Sequence, residues 1–227
     1  MCENEEIVPL SNEPQDITAY TSKLGLDPSS ATFTEIFSFE EEYLALIPKP
    51  IYAIILLYPM GPKEEEGVLW KRHMEIQEIP DPSPWFTLQK VSNCCGTIAI
   101  IHSIMNNLEN VKIVENSWFD RFAKKTKTMT PNERADLVCS DKELLTVHTK
   151  AAKESSVPIP ENCFTHFASF VVKYGYLWEL DGRKPQPICH GRCNDLLEST
   201  INVIKTEFIP SVKNPMEITI LGLTACP

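Results

Sequence analysis

The stretch Gln89-Lys90-Val91-Ser92-Asn93-Cys94-Cys95-Gly96-Thr97-Ile98-Ala99-Ile100-Ile101-His102 decides how this chain is read. It begins as a polar loop and turns into a helix at the second cysteine. Beyond Gly96, apolar residues recur at Ile98, Ile101, Met105 and Leu108, the spacing of one buried helical stripe. A thiol in a first helical turn faces unpaired backbone N–H groups and the positive end of the macrodipole. Both favour thiolate, the nucleophilic form. The missing side chain of Gly96 is expected to leave open space beside the sulfur for a substrate backbone. Gln89 brings an amide donor to the same point, and a donor beside a nucleophile is what an oxyanion hole requires.

A second segment, from Phe164 to Leu180, reads as a β-hairpin with its turn at Lys173-Tyr174. In that register Phe170 faces Leu177, Ala168 faces Glu179 and His166 faces Asp181. Directly opposed residues share a face, with Cβ atoms about 5 Å apart. An imidazole and a carboxylate therefore meet, whereas a slip of one residue would send them to opposite faces. Taken singly, each residue has a bland role: a small buried cysteine, a satisfied core histidine, a turn aspartate before glycine.

The remaining pattern predicts helices and strands in an α+β arrangement. Residues 12–25 read as a helix capped by Asn12, opened by Pro14 and stopped by Gly25. A short helix is expected near 39–46. Tyr52 to Tyr58 reads as a central strand, apolar on both faces. Residues 61–84 read as a partly mobile connection. Helices follow over 95–107, after Ser117 as a cap, and from the capping box Thr130-Pro131-Asn132-Glu133. Residues 141–162 show little periodicity and read as a long loop, a feature usually functional or disordered. A helix over 194–208 and a closing strand Ile218 to Thr224 complete the pattern.

At 227 residues the chain supports one core, so residues 1–227 are read as a single domain. Hydrophobic content of 43% and charged content of 23% are those of a globular protein. The longest apolar run, Ile51 to Met60, is too short to span a bilayer, so no membrane is expected. The acidic start Met1-Cys2-Glu3-Asn4-Glu5-Glu6 lacks the apolar core of a signal peptide, so the expected compartment is the cytoplasm, or also the nucleus. A net charge of −10 argues against nucleic acid. The eight cysteines contain no CxxC pair. Cys189, His190 and Cys193 crowd into five residues without a second half-site, so reduced thiols are expected and no metal.

The segment Gln-x(3)-Ser-Asn-x-Cys-Gly-Thr-Ile-x-x-Ile-His resembles the active-site signature of the small ubiquitin C-terminal hydrolases, papain-like cysteine deubiquitinases. Thr165-His166-Phe167 and Glu179-Leu180-Asp181-Gly182-Arg183-Lys184-Pro185 are similar to the family's histidine and aspartate motifs. Further similar segments are Val8-Pro9-Leu10, Leu24-Gly25-Leu26, Ile47-Pro48-Lys49-Pro50 and Thr130 to Arg134. The resemblance implies a six-stranded, mostly antiparallel sheet between helical layers, with a knotted backbone. It implies Cys95 as nucleophile, His166 as base, Asp181 as its orienting partner, and Gln89 with the Cys95 N–H as oxyanion donors. No cofactor is implied.

Cys94 reads as a packing or redox-sensitive bystander, pointing about 100° away from Cys95 around the helix. His102 reads as a packing residue or a hydrogen-bonding support behind the site, His73 and His148 as loop residues, His190 as structural support. The expected partner is ubiquitin, whose basic tail suits an acidic enzyme, and the expected state is a monomer. Residues 141–162 match the family's crossover loop, implying a narrow gate that passes small or unfolded adducts. The alternatives are a ubiquitin-binding module with little turnover and a thiol hydrolase preferring a ubiquitin-like protein such as NEDD8.

Overall fold

The computed structural model describes residues 7–60, 67–156 and 165–226. Six strands form one antiparallel sheet: β1 (Ala31–Glu35), β2 (Ile51–Pro59), β3 (Thr165–Lys173), β4 (Tyr176–Leu180), β5 (Ile188–Arg192) and β6 (Thr219–Ala225). Their order is β1-β6-β2-β3-β4-β5, so the last strand enters between the first two. The uninterrupted apolar run of β2 reflects burial on both faces. Ala53, Ile55 and Leu57 enter one core, while Ile54, Leu56 and Tyr58 enter the other.

The first face is covered by α1 (Pro14–Leu24), α4 (Cys95–Met105), α5 (Trp118–Thr126), α6 (Pro131–Ser140) and α7 (Lys142–Lys153). The second is covered by α8 (Leu196–Val203) and the π-helical turn Ile204–Phe208 that extends it. The short α2 (Glu41–Leu44) lies between β1 and β2. Among the described residues no helix is long and apolar enough to cross a membrane.

The expected stop and start signals hold at Gly25, which caps α1 at φ 107°, and at Ser117, whose side chain accepts from Asp120 N–H. The capping box between Thr130 and Glu133 is complete. Asn12 is not the cap of α1. Glu13 holds that position, and the Asn12 amide instead donates to Thr219 Oγ1 at 3.1 Å.

Three further expectations are corrected. Residues 142–153 are not a loop: Asp141 caps α7 by accepting from Leu144 N–H at 2.9 Å, and Leu144, His148 and Ala152 form its buried stripe. A histidine in the middle of that stripe disguised the period. Residues 157–162 of the same expected loop lie outside the described residues. The connection 61–84 contains a helix, α3 (Val68–Met74), with His73 3% exposed; residues 61–66 lie outside the described residues. Cys139 is disulfide-bonded, whereas Cys94, Cys95, Cys189, Cys193 and Cys226 are free. Strands β1 and β5 carry weak alternation and escape the sequence reading altogether.

Candidate active site

Asn93 turns at φ 59°, Cys94 sits at the N-cap, and Cys95 is the first residue of α4. A buried chain anchors this helix start. Tyr20 Oη lies 2.9 Å from Thr97 Oγ1, which lies 2.7 Å from His148 Nδ1. His148 Nε2 donates to Val8 O at 2.9 Å. That donation leaves Nδ1 as the acceptor of the Thr97 hydroxyl. His148 is thus a buried tie between α7, α4 and the N-terminal segment, not a loop residue.

The hairpin carries its turn at Tyr174-Gly175 rather than Lys173-Tyr174. Both residues have positive φ, 55° and 76°, as a two-residue type I′ turn requires. Lys173 therefore pairs Tyr176 and Ser169 pairs Leu180. Relative to the expected register the strand has slipped by two residues, which preserves the face. Continuing the ladder sets Asp181 opposite Ala168 and diagonal to His166. The diagonal is short enough for contact: His166 Nε2 and Asp181 Oδ1 are 2.7 Å apart.

With Nε2 committed to Asp181, His166 turns Nδ1 to the Cys95 thiol. Burial alone would raise the Cys95 pKa; the hydrogen bond and charge of His166, aided by Phe167 N–H, hold it below its ordinary value. Burial alone would lower His166, but the charge and hydrogen bond of Asp181 carry it up to about 9. Asp181 in turn is held far below the usual carboxylate range against its burial, by His166 first and then by Lys184 and Arg183 N–H. The arrangement favours a thiolate–imidazolium pair. Cys94 has the opposite environment: burial, with Cys95 beside it, pushes its thiol up to about 12. It is 1% exposed and packs in the core.

Tyr58, the β2 partner of His166, meets the imidazole edge to face at 5.8 Å, and Trp70 of α3 does so at 6.3 Å. Two rings therefore shield the imidazole. An open cleft of about 340 Å³ lies over the thiol, lined by Gln89, Asn93, Cys95, Thr165, His166 and Arg183. Gln89 reaches this cleft, with Nε2 donating to Val91 O at 2.9 Å and a second N–H still available. Its backbone N–H donates to Gly182 O at 2.7 Å. A Cβ on Gly182 would come within 3.0 Å of Gln89 N and Cβ and 2.8 Å of Ile98, so only glycine lets the aspartate loop close on the glutamine. The expectation of open space beside Gly96 is corrected: Leu10 and Phe167 fill it, 3.4 Å from where a Cβ would stand.

The other histidines divide by environment. His102 stacks on Phe86 at 5.0 Å and lies 3.1 Å from the Thr87 backbone, and burial pushes it down to about 4. His190 lies 2.9 Å from Glu179 Oε2; burial would lower it, but Glu179 and Glu207 carry it up to about 9. The Cys193 thiol donates to Asp195 O at 3.3 Å, away from His190. Among the described residues no group of three His, Cys, Asp or Glu side chains could hold a metal ion. Sequence reasoning assigned no role to Tyr58, Trp70, His73 or Lys184. The available signal was the pair Glu179 and Lys184, charges placed next to an otherwise apolar strand.

Comparison with known proteins places this geometry. The sequence profile described as ubiquitin carboxyl-terminal hydrolase, family 1, matches residues 7–209. The chain is 36% identical over 201 residues to ubiquitin carboxyl-terminal hydrolase 3 of Arabidopsis thaliana, covering 87% of this chain and 86% of that protein. It is 33% identical over 210 residues to a ubiquitin carboxyl-terminal hydrolase of Aplysia californica, covering 90% and 96%. The fold matches the Trichinella spiralis UCH37 catalytic domain bound to ubiquitin vinyl methyl ester, with a TM-score of 0.78 at 18% identity over 99% of this chain and 98% of that one. A cysteine at a helix start, hydrogen-bonded to a histidine that an aspartate orients, on this sheet and with these relatives, makes the chain a member of the ubiquitin carboxyl-terminal hydrolase family, the cysteine-type deubiquitinases.

Proposed function

We propose that this chain hydrolyses the bond at the C-terminal glycine of ubiquitin, with Cys95, His166, Asp181 and Gln89 as its machinery. The observation that carries the reading is the 2.7 Å bond that fixes His166 on Asp181 beside a Cys95 thiol whose pKa His166 lowers, both lining one cleft with Gln89. The thiolate adds to the glycine carbonyl carbon, and the carbonyl π pair becomes an oxyanion. Gln89 Nε2 and the Cys95 backbone N–H receive that charge. His166 gives its Nδ1 proton to the departing amine or thiol, leaving a thioester. Water, deprotonated by His166, then releases the ubiquitin carboxylate and restores the thiolate. Asp181 orients the ring and stabilises its cationic form throughout.

Residues 1–227 act in this reading as one catalytic domain, functioning as a monomer. Ubiquitin is the partner because the relatives act on it, and the net charge of −10 complements a basic partner. NEDD8 is the second substrate to assay. A binding module without turnover is disfavoured by the alignment of the three side chains in the free chain.

The substrate range is that of small or unfolded adducts. Only residues 154–164 separate α7 from β3, a shorter connection than the sequence implied. A ubiquitin C-terminal vinyl methyl ester is the direct test. It should attach covalently to Cys95, identified by peptide mass spectrometry, and a NEDD8 equivalent run in parallel ranks the two modifiers. Labelling at any other cysteine, or none, defeats the reading.

A further inference from the structure

Behind the triad lies a buried charge cluster that the reaction as written does not use. Lys184, 1% exposed, donates to Glu179 Oε1 and, at 2.8 Å, to His73 Nδ1. Its Nζ also lies 3.7 Å from Asp181 Oδ2. Glu179 is 0% exposed and its other oxygen meets His190. Behind these, Glu207 faces His190 at 3.7 Å and His73 at 3.6 Å and pairs Arg72. The aromatic walls around the ammonium are Trp70 and Phe208, at 5.8 and 5.9 Å.

Within this cluster the two oxygens of Asp181 differ. Oδ1 is engaged by His166 Nε2 and by Arg183 N–H at 2.9 Å. Oδ2 is buried and makes no hydrogen bond. A buried carboxylate oxygen without a donor is costly, and the cation paired with this oxygen, while His166 engages the other, is the Lys184 ammonium. Among the described residues Lys184 is the one cation within 4 Å of both Asp181 and Glu179. Two buried carboxylates, two residues apart, share it.

We propose that Lys184 is a positioning residue for catalysis: its buried ammonium, braced by Glu179 and His73, holds the Asp181 carboxylate from the side opposite His166. This rests on the triad reading above. A distance of 3.7 Å is beyond a hydrogen bond in the free chain, and a shift of under an ångström is all that completing one requires. The bracing explains why α3 matters to a site it does not line with a nucleophile: it brings both His73 to Lys184 and Trp70 to His166.

Lys184→Met alone leaves Glu179 without its lysine in the core, so the informative variant is Lys184→Met/Glu179→Gln, which removes both charges. Folding is monitored by circular dichroism, and turnover is measured on a ubiquitin C-terminal amide. The double variant should fold and lose about tenfold in kcat, the scale of coupling between neighbouring groups, with KM unchanged. Wild-type kcat in the folded double variant would show that Lys184 serves only to neutralise Glu179, and would overturn the proposal. A second measurement needs no substitution at Lys184. The slowly exchanging ammonium of Lys184 in the 15N-labelled chain should shift in Asp181→Asn relative to wild type, and an unmoved resonance overturns the proposal as well. Probe labelling at Cys95 is independent of both results, so failure here is distinct from failure of the deubiquitinase reading.

Discussion

Asp181 orients His166 from a diagonal position on the hairpin: Oδ1 and Nε2 are 2.7 Å apart although the ladder sets Asp181 opposite Ala168. The diagonal leaves the second carboxylate oxygen free to face Lys184. It also makes the contact depend on the Tyr174-Gly175 turn, which fixes the register.

Cys95→Ala should abolish turnover of a ubiquitin C-terminal amide, while Cys94→Ala should retain most of it. The two thiols are adjacent, yet His166 lowers the pKa of one and burial raises the other to about 12. Steady-state rates of the two variants decide the assignment, and activity surviving in Cys95→Ala would refute it.

Gln89→Ala should reduce kcat about 10²–10³-fold and leave KM nearly unchanged, because an oxyanion donor acts when charge develops on the oxygen. The opposite pattern, a raised KM with kcat intact, would make Gln89 a binding contact.

The pH dependence follows from the cited shifts. His166 is raised from 6.5 to about 9, so its bond to Asp181 stabilises the fold fully below about pH 6.5 and is lost as pH climbs through about 9. The same deprotonation removes the imidazolium, so kcat/KM should fall through about pH 9. Asp181→Asn removes the principal raising influence and should move that alkaline limb to lower pH. In acid the sign reverses. Glu179, lowered from 4.5 to about 2, contributes stability present above about pH 4.5 and lost as pH falls toward 2. Rate profiles and urea titrations across pH check both limbs.

Asp141→Ala should cost about 1–2 kcal/mol of stability, through loss of a helix cap and of the bond from Trp118 Nε1 at 2.8 Å. Catalysis of small adducts should persist, since α7 supplies none of the side chains that line the cleft and is tied to α4 through His148 and Thr97. Thermal unfolding measures the cost; no change in stability would mean that α7 does not depend on its cap.

A Gly/Ser insert between residues 154 and 164 should widen the range of leaving groups without altering turnover of a small amide. Wild-type chain that cleaves folded diubiquitin as fast as the small amide would exclude a size limit.

The sequence was most legible where local chemistry is decisive. Pro14, Gly25, Ser117 and Thr130 mark helix ends through their own side chains or backbone limits. The meeting of His166 with Asp181 was legible for the same reason, since the two fall on one face in either of two registers, and Cys95 was legible as the start of a helix. Illegible features depend on partners distant in sequence. Whether residues 142–153 form a helix turns on His148 being buried, and that depends on Thr97 donating to it and Val8 O accepting from it. The place of Lys184 depends likewise on Glu179 and on His73, which lies 111 residues away. The hairpin turn was misplaced because Tyr174, a bulky residue, adopts a positive φ that glycine would ordinarily supply.

The insertion of β6 between β1 and β2 has a consequence for the life of the chain in the cell. On the ribosome, the strand that joins β1 to the rest of the sheet is the last of the six to emerge. A nascent chain can assemble α4 and the hairpin but keeps two unpaired strand edges, on β1 and β2, until residues 219–225 leave the exit tunnel. Such edges invite pairing with other chains. Chaperone protection should therefore matter most until β6 emerges. A premature stop upstream of β6 should yield an aggregating product rather than a weakened enzyme.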